Sequence, residues 1–166
     1  MALKTDIRGM VWRYPDYFVA GREQLRDFAR SIKCDDPAFF DEDAAAALGY
    51  DAIIAPITFV SILAKYVQVD FFQHVDIGME RMLIVQVDQR FVFHKPVLAG
   101  DKLWARMDVR SVDERFGADI VVTKNVLTND DGELVLEGYT TLMGHQGDDS
   151  IQLRWDKESG QVVRTA

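Results

Sequence analysis

The residue types best suited to chemistry are concentrated in one short acidic turn, KCDDPAFFDED, at residues 33–43. The turn contains Cys34, the only cysteine of the chain, together with several aspartates. A thiolate is a nucleophile and a carboxylate can carry protons, so the turn has the composition of a catalytic site. Phe39 and Phe40 occupy its centre, however, and a phenyl ring neither donates nor accepts a proton. The acidic neighbours also disfavour a thiolate at Cys34, so no reactive thiol is predicted.

The histidines and hydroxyl residues add no second candidate site. His74, His94 and His145 are widely separated, and none has another histidine or a cysteine at metal-ligand spacing. Thr58 and Ser61 have no evident histidine partner that would activate a hydroxyl group. We therefore predict neither a metal site nor a bound cofactor.

The composition is typical of a soluble protein with one domain. The chain has 166 residues, of which 48% are hydrophobic and 28% are charged, enough to bury a core. Its net charge of −8 argues against nucleic acid and anionic membrane surfaces as partners. The single cysteine and the lack of an apolar leader in MALKTDIRG predict a cytoplasmic protein. The most apolar stretch, residues 54–72, is too polar to predict insertion into a membrane.

The first half of the chain is predicted to be helical. Residues 21–33 carry apolar side chains at i, i+3, i+4 and i+7, which indicates an amphipathic helix. A short helix at 41–48 can be capped by Asp41 and ended by Gly49. A third helix, at about 57–72, follows a proline and is apolar around nearly its whole circumference, which predicts a buried helix.

From residue 82 onward the hydrophobic period changes to two, which predicts strands. The apolar residues predicted to share the core-facing side of the first of these strands are Leu83, Val85, Val87, Phe91 and Phe93. Further strands are predicted at 102–110, 118–128 and 133–144, with a hairpin turn at Asn129-Asp130-Asp131-Gly132. Helices followed by at least four antiparallel strands indicate an α+β protein in which a curved sheet wraps around the buried helix.

Three stretches of the chain resemble the MaoC-like hydratase and dehydratase family, whose members have the hot-dog fold. The stretches are YFVAGREQLRDFARSIKCDDPAFFDEDAAAALGYDAIIAPITF, QRFVFHKPVLAGDKLWA and NDDGELVLEGYTTL. The similarity extends over about residues 14–145. It implies a single hot-dog domain at 1–145, followed by a C-terminal extension at 146–166 for which a hairpin is the suggested form.

Active members of this family carry the motif Asp-x-Asn-Pro-x-His-x-Asp, in which the first Asp and the His manage the protons of hydration or dehydration. In this chain Asp36-Pro37 matches Asn-Pro, and Asp41 matches the last Asp. Cys34 and Phe39 occupy the positions of the first Asp and the His. Each well-placed acid or base contributes roughly 10²–10⁴-fold in rate, so the resemblance implies that this chain has no catalytic residues of its own.

The resemblance therefore implies a non-catalytic subunit of a heterodimeric (3R)-hydroxyacyl-ACP dehydratase, paired with a catalytic hot-dog subunit. Such an enzyme converts long-chain 3-hydroxyacyl-ACP to trans-2-enoyl-ACP in type II fatty-acid synthesis, including mycolic acid elongation. In this scheme the chain stabilises the pair and supplies part of the wall of the acyl channel. The residues predicted to line the channel or the subunit interface are Phe59, Ile62, Leu63 and Tyr66.

Three polar residues outside the turn are assigned lesser roles. His94 in FHKP, which recurs as a family position, is interpreted as a hydrogen-bonding residue at the end of a strand. Arg106 and Arg110 share one strand face, which is expected to be a solvated surface rather than a docking patch for the acidic acyl carrier protein. The main docking patch is expected on the partner subunit.

Two other functions stay open from the sequence. One is an acyl-chain binding or scaffold protein without an enzyme partner. The other is an active homodimeric hot-dog thioesterase or hydratase that uses a different carboxylate, for example Asp36 or Asp41.

Overall fold

The computed structural model describes residues 3–78, 82–146, 152–156 and 161–165. The helices are α1 (Arg22–Ser31), α2 (Glu42–Ala47) and α3 (Val60–His74), with a single 3₁₀ turn at Pro37–Phe39. The strands are β1 (Val11–Val19), β2 (Met82–Phe93), β3 (Lys102–Arg115), β4 (Ala118–Thr128), β5 (Leu134–Gln146), β6 (Gln152–Asp156) and β7 (Gln161–Thr165). The predicted α+β class is confirmed.

The described strands form two antiparallel sheets. Five of them are arranged in the order β1–β3–β4–β5–β2, while β6 and β7 form a separate pair. The inner face of the larger sheet and the buried side of α3 share one hydrophobic core, which includes Leu63, Val67, Phe71, Leu103 and Met107. Burial of each such large side chain contributes on the order of 1.5–3 kcal/mol, so this layer is the main source of stability.

Helix α3 begins and ends slightly later than the predicted span of 57–72. It runs over Val60–His74, because the residues before it form a tighter turn in which the Phe59 N–H donates to the Pro56 carbonyl over 2.8 Å. Ile57 therefore lies outside the helix, with 71% of its surface exposed.

Helix α3 is buried on the side that faces the sheet, where Val60, Leu63 and Val67 are at most 3% exposed. Tyr66 and Val69 are 47% and 42% exposed, and Ile62 is half-buried. An apolar side of the helix is thus left uncovered by the described part of this chain.

Strand β1 is an addition to the predicted order, in which helices come first. It pairs with β3 at one edge of the sheet, and its register shifts between Arg13 and Tyr17. Pro15 lies in that interval, and proline is confined to edge strands and bulges because it has no N–H for the ladder. The irregularity interrupts the alternation of side chains, so the period-two signal on either side is too short to recognise.

A bulge in β2 makes the predicted core-facing side of that strand wrong. Its pairing with β5 shifts register between Gln86 and Asp88. Because one inserted residue turns all following side chains to the opposite face, Phe91 packs against the core whereas Leu83 and Val85 point away from it. Leu83 and Val85 are consequently 67% and 51% exposed.

The predicted caps and turns are confirmed. The Asp41 carboxylate accepts the Ala44 N–H over 2.9 Å at the start of α2, and Gly49 follows that helix with φ +87°. In the β4–β5 hairpin, Gly132 has φ +77° and donates its N–H to the Asn129 carbonyl over 3.0 Å. A positive φ is accessible to glycine without the steric cost that a side chain imposes.

The C-terminal extension contributes the β6–β7 hairpin. Its strands pair in antiparallel register, with Leu153 opposite Arg164. The intervening residues 157–160, which include the suggested Ser159-Gly160 turn, lie outside the described residues. Among the residues that are described, no helix combines the length and apolarity needed to cross a membrane.

Candidate functional site

The acidic turn connects α1 to α2, and its carboxylates bond to its own backbone. The Cys34 N–H donates to the last turn of α1 over 2.9 Å. The Asp36 carboxylate accepts the Ala38 N–H over 3.0 Å at the start of the 3₁₀ turn, and Asp41 caps α2. Asp36 and Asp41, which lie at motif positions, are thus exposed helix-capping groups. This structural role does not depend on the Asp and His of the motif.

Two arginines of α1 hold this turn in place. Arg26 donates to the Phe40 carbonyl and lies 3.9 Å from the Glu42 carboxylate, with 20% of its side chain exposed. Arg22 bonds to both carboxylate oxygens of Glu42, one of them over 3.1 Å. The hydrogen bond from Arg22 lowers the pKa of Glu42, and the Glu42 carboxylate in turn raises the pKa of Arg22. The turn is therefore attached to α1 at both its backbone and its side chains.

The same turn is joined to the start of α3. Ala38 is 2% exposed, and its carbonyl accepts the Ile54 N–H over 3.2 Å from the loop that precedes the helix. Phe59, at the N-terminal end of α3, contacts Phe28 of α1 edge to face with ring centroids 5.5 Å apart. The turn, α1 and the beginning of α3 consequently form one packed unit.

The packed unit contains the two positions at which the family motif described above has an Asp and a His. Dehydration of a 3-hydroxyacyl thioester needs a base for the C2 proton and an acid for the departing hydroxyl. Half-buried Cys34 and Phe39 occupy the two relevant positions. Asp36 and Asp41 are engaged with backbone N–H groups, so neither replaces the missing base. This geometry argues against an active homodimer that uses those carboxylates.

An open depression of about 420 Å³ lies beside the start of α3. Its walls come from the loop before α3 and from the end of β2, and they include Tyr50, Ile54, Ile57, Phe93, Lys95 and Pro96. The lining is largely apolar, and Lys95 at its rim is paired with Glu133. The depression can accept an apolar group, and its lining also includes His94, whose Nε2 lies 3.6 Å from the Glu137 carboxylate.

The structure separates the four residues that were predicted to line a channel. Phe59 and Leu63 are 1% and 2% exposed and belong to the core of this chain. Ile62 and Tyr66 lie on the side of α3 that the sheet leaves uncovered. Contact with an acyl chain stays a prediction for all four, and only Ile62 and Tyr66 are accessible to one in this chain.

On the uncovered side of α3, Tyr66 contacts Phe18 of edge strand β1 with ring centroids 6.2 Å apart, whereas the start of the helix reaches the opposite edge strand, β2. The two elements are connected by the Ser61 hydroxyl, which donates to the side-chain oxygen of Gln89 over 3.3 Å. Along the strand, Leu83, Val85 and Val87 are 67%, 51% and 54% exposed. An exposed apolar edge strand is a template for pairing with another strand, so this region has the properties of a subunit interface.

Two of the polar residues singled out from the sequence, His94 and Arg106, have local partners. His94 Nε2 lies 3.6 Å from the Glu137 carboxylate. Arg106 bonds to Asp108 over 2.9 Å, and Arg110 is exposed. These contacts agree with structural and solvated roles. Within the part of the chain that the structure describes, no three histidine, cysteine or acidic residues are grouped to hold a metal ion.

Sequence reasoning missed a set of polar residues on the inner face of the sheet. Asn125 and Thr140 are 2% and 1% exposed beneath α3. The sequence does contain a signal for Asn125. The inward-facing positions of β4 are Val121, Thr123, Asn125 and Leu127, so two polar residues interrupt an apolar face. Polar residues at core positions of an alternating strand mark either a hydrogen-bond network or a binding site.

The sequence is similar over residues 8–138 to the model of the FAS1-like dehydratase domain region. The chain belongs to this FAS1-like dehydratase family. It is also 80% identical over 166 residues to the UPF0336 protein Rv0637 of Mycobacterium tuberculosis, with 100% of both chains covered.

Two solved structures agree with this assignment to the FAS1-like dehydratase family. One is a chain of the C-terminally truncated HadBC (3R-hydroxyacyl-ACP dehydratase) complex from Mycobacterium tuberculosis, with a TM-score of 0.81 and 79% identity. The match covers 86% of this chain and 100% of that one. The other is a MaoC-like dehydratase with a TM-score of 0.80 and 31% identity, covering 89% of this chain and 44% of that one. The predicted hot-dog fold is confirmed.

Proposed function

We propose that this chain is the non-catalytic subunit of a heterodimeric (3R)-hydroxyacyl-ACP dehydratase, in which it stabilises the pair and lines part of the acyl channel. Its partner is a catalytic hot-dog subunit of the HadB type. The pair converts long-chain 3-hydroxyacyl-ACP to trans-2-enoyl-ACP and water in type II fatty-acid synthesis, including mycolic acid elongation.

One observation carries this proposal. The turn that bears the catalytic Asp and His in active members of the family is here capped by Asp36 and Asp41 and bonded to Arg26, yet it holds Cys34 and Phe39. A chain whose turn is well supported but holds no proton carrier at these two positions serves the fold and its partner rather than the reaction. The base that removes the C2 proton and the acid that protonates the leaving hydroxyl are therefore assigned to the partner.

The exposed apolar surface supports the requirement for a partner. Tyr66 and Val69 on α3, together with Val85 and Val87 on β2, are each more than 40% exposed. Joining β2 to an equivalent edge strand would complete its ladder of hydrogen bonds and cover this surface. A channel between the two subunits would then run along α3, where Ile62 and Tyr66 are accessible.

The test compares the purified chain, the HadB-type partner and the co-expressed pair for hydration of a trans-2-enoyl thioester, the reverse reaction. We expect the pair to be soluble and active, and the isolated chain to be poorly soluble and without turnover above background. Brisk hydration by the isolated chain would refute the proposal. A matched variant of the partner that lacks its Asp and His should leave the pair assembled but inactive.

An acyl-binding or scaffold protein without an enzyme partner is the second candidate. The uncovered apolar side of α3 is compatible with it, because that side suits an alkyl chain as well as a protein. Failure of the chain to assemble with any hot-dog subunit, combined with retained binding of fatty acids, would favour this candidate.

A further inference from the structure

Residues 3–10 cross the end of the molecule where the last turn of α3 meets the sheet, and they form neither helix nor strand. We call them the strap. The Lys4 N–H donates to the Ile77 carbonyl, beyond the end of α3, over 3.0 Å. The Gly9 N–H donates to the Val109 carbonyl of β3 over 3.2 Å. The strap therefore spans the opening between the helix and the sheet at this end.

Two apolar side chains of the strap belong to the core. Leu3 and Ile7 are 9% and 2% exposed, and both pack in the hydrophobic cluster between α3 and the sheet. The Leu3 N–H also donates to the buried Asp119 carboxylate over 3.0 Å, which fixes the backbone beside this side chain. Because the strap buries large apolar groups, it is a wall of the core rather than a surface loop.

Leu3 and Ile7 form one wall of a small cavity of about 20 Å³. The other walls come from the last turns of α3 and from the sheet, and they include Gln68, Phe71, Phe72, Ile84 and Met107. This volume is little more than one water molecule needs, and nearly all of the lining is apolar. With the strap in place, an alkyl chain has no room to extend past this point.

The side of α3 that borders the cavity is the side turned toward β2. Ser61, Gln68 and Phe72 are spaced at i, i+7 and i+11, which puts them on one side of the helix. The hydrogen bond from Ser61 to Gln89 directs that side to β2, and Ile84 of the same strand lines the cavity. A chain that follows this side of α3 from its start would reach the cavity near the end of the helix and stop at the strap.

The strap is attached to α3 more weakly than the elements of the core are to one another. The Lys4 ammonium pairs with the Asp76 carboxylate, but these side chains are 62% and 58% exposed, and exposed ion pairs contribute little to stability. Segments with few buried contacts open locally at a lower free energy than core strands do. About two to four methylenes match the burial of one leucine or isoleucine side chain, so a long alkyl chain can replace the contacts of Leu3 and Ile7.

We infer that the strap is the end wall of the acyl channel, and that Leu3 and Ile7 set the chain length beyond which a further methylene gains no affinity. This inference rests on the proposed function, because the acyl chain would enter from the interface with the catalytic subunit. A chain that stops short of the cavity leaves the strap closed, whereas a longer chain must displace it. The side chains at positions 3 and 7 therefore determine specificity for length and take no part in the reaction.

The test measures the binding of saturated fatty acids, from octanoate to octadecanoate, to the co-purified pair by calorimetry, apart from any turnover. Affinity should rise with each methylene and then reach a plateau at one chain length. Ile7→Ala removes most of a wall side chain and should move the plateau about two methylenes longer, whereas Ile7→Phe should move it shorter. Ile53→Ala is the matched control, because Ile53 is 0% exposed in the same core but is not among the described residues that line the cavity.

A second variant loosens the strap without changing the cavity. Lys4→Ala removes the exposed ion pair with Asp76 and should let chains longer than the plateau length bind about threefold more tightly, which is the size of such a pair. Arg8→Ala is its control, since the ion pair between Arg8 and Asp6 lies within the strap. Hydrogen exchange over residues 3–10 gives an independent readout, and it should rise only when a chain longer than the plateau length is bound.

Three results would overturn the inference. One is a plateau at the same length in the unmodified pair, Ile7→Ala and Ile7→Phe. Another is an equal shift of the plateau in Ile53→Ala, which would assign the change to a softer core. The third, decisive even where the Ile7 variants do not fold, is unchanged binding and unchanged exchange in Lys4→Ala.

The same measurements separate the strap from the proposed function. A pair whose plateau moves with residue 7 but which does not hydrate enoyl thioesters would contradict the proposed function and support the strap. An active pair whose plateau ignores residue 7 would support the proposed function and refute the strap.

Discussion

The indole N–H of Trp12 donates to the Asp70 carboxylate over 2.7 Å, which connects edge strand β1 to the last turns of α3. The carboxylate is 15% exposed, and the Trp12 ring contacts Phe71 edge to face with centroids 5.7 Å apart. Strand β1, which the sequence patterns do not predict, thus fixes the helix that carries the proposed interface.

Replacing Trp12 by Phe should destabilise the protein, because it removes the donor and keeps an aromatic ring. We expect a loss of about 1–3 kcal/mol in the free energy of unfolding, measured by chemical denaturation. Trp104→Phe is the matched control, since its N–H donates to Asp130 in an exposed turn over 2.9 Å. An equal loss of stability in both variants would contradict a special role for the partly buried Trp12–Asp70 hydrogen bond.

Arg26 is expected to hold the motif turn in place. Replacement by Ala removes its bond to the Phe40 carbonyl and should cost about 1–3 kcal/mol, because that bond is partly buried and charge-assisted. Hydrogen exchange should rise selectively over residues 37–47. Arg8→Ala, whose exposed ion pair with Asp6 joins no separate elements, should change stability by less than about 0.5 kcal/mol. Unchanged hydrogen exchange over residues 37–47 in Arg26→Ala would show that Arg26 does not hold the turn in place.

The β2 edge is expected to be the site of pairing with the catalytic subunit. The double variant Val85→Lys with Val87→Lys places charges on the exposed edge and should weaken pair formation at least about tenfold, measured by co-purification and sedimentation. The control carries Val11→Lys and Val19→Lys on β1, the opposite edge, where both residues are also exposed. Equal weakening by both double variants would assign the interface elsewhere.

The proposed channel predicts an effect of bulk on chain-length preference. Ile62→Trp should shorten the longest acyl chain that the pair accepts and leave short substrates unaffected. Val19→Trp, an exposed position on β1, is the control. Leu63 is unsuitable for this purpose, because it is 2% exposed and a larger ring there would overpack the core. Unchanged length dependence with Ile62→Trp would remove this residue from the channel wall.

Acid should weaken the ion pair between β4 and β5. The hydrogen bond from Lys124 lowers the pKa of Glu137 from its ordinary value of 4.5. A lowered folded-state pKa stabilises the protein above that ordinary value, and the stabilisation disappears as pH falls through the folded-state pKa. Glu137→Gln should therefore flatten the decline of stability below about pH 4.5.

A substitution of Lys124 tests whether this residue causes the lowered pKa of Glu137. Lys124→Met should flatten the same limb of the stability curve, and the double variant should add little to either single change. An additive double variant would show that the two side chains act independently. The raised pKa of Lys124, which arises from its hydrogen bond to Glu137, predicts a complementary loss only as pH rises through that raised value.

Much of the local structure could be predicted because its signals lie within a few residues. The Asp41 cap, the glycine after α2 and the Asn129–Gly132 turn depend on side chains next to the backbone they stabilise. The match of positions 34 and 39 to the family motif can likewise be made without a structure, because the motif is one contiguous stretch of sequence. The hot-dog fold followed from the resemblance together with the change of period after α3.

The rest depended on contacts between distant segments. The bulge at Gln86–Asp88 is set by pairing with β5, and only that pairing decides that Leu83 and Val85 point outward. Burial likewise assigned Phe59 and Leu63 to the core, which hydrophobicity alone could not separate from an interface role.

The sequence by itself determined that Cys34 and Phe39 stand at the two positions to which the family resemblance assigns a catalytic Asp and His, because chemical identity is a local property. Only the tertiary structure decided that the supporting turn is still fastened by Arg26, and that Asn125 lies buried beneath α3 without a partner among the described residues. The Arg26 bond and the burial of Asn125 depend on which segments of the chain come into contact, and the packing of the whole chain decides that.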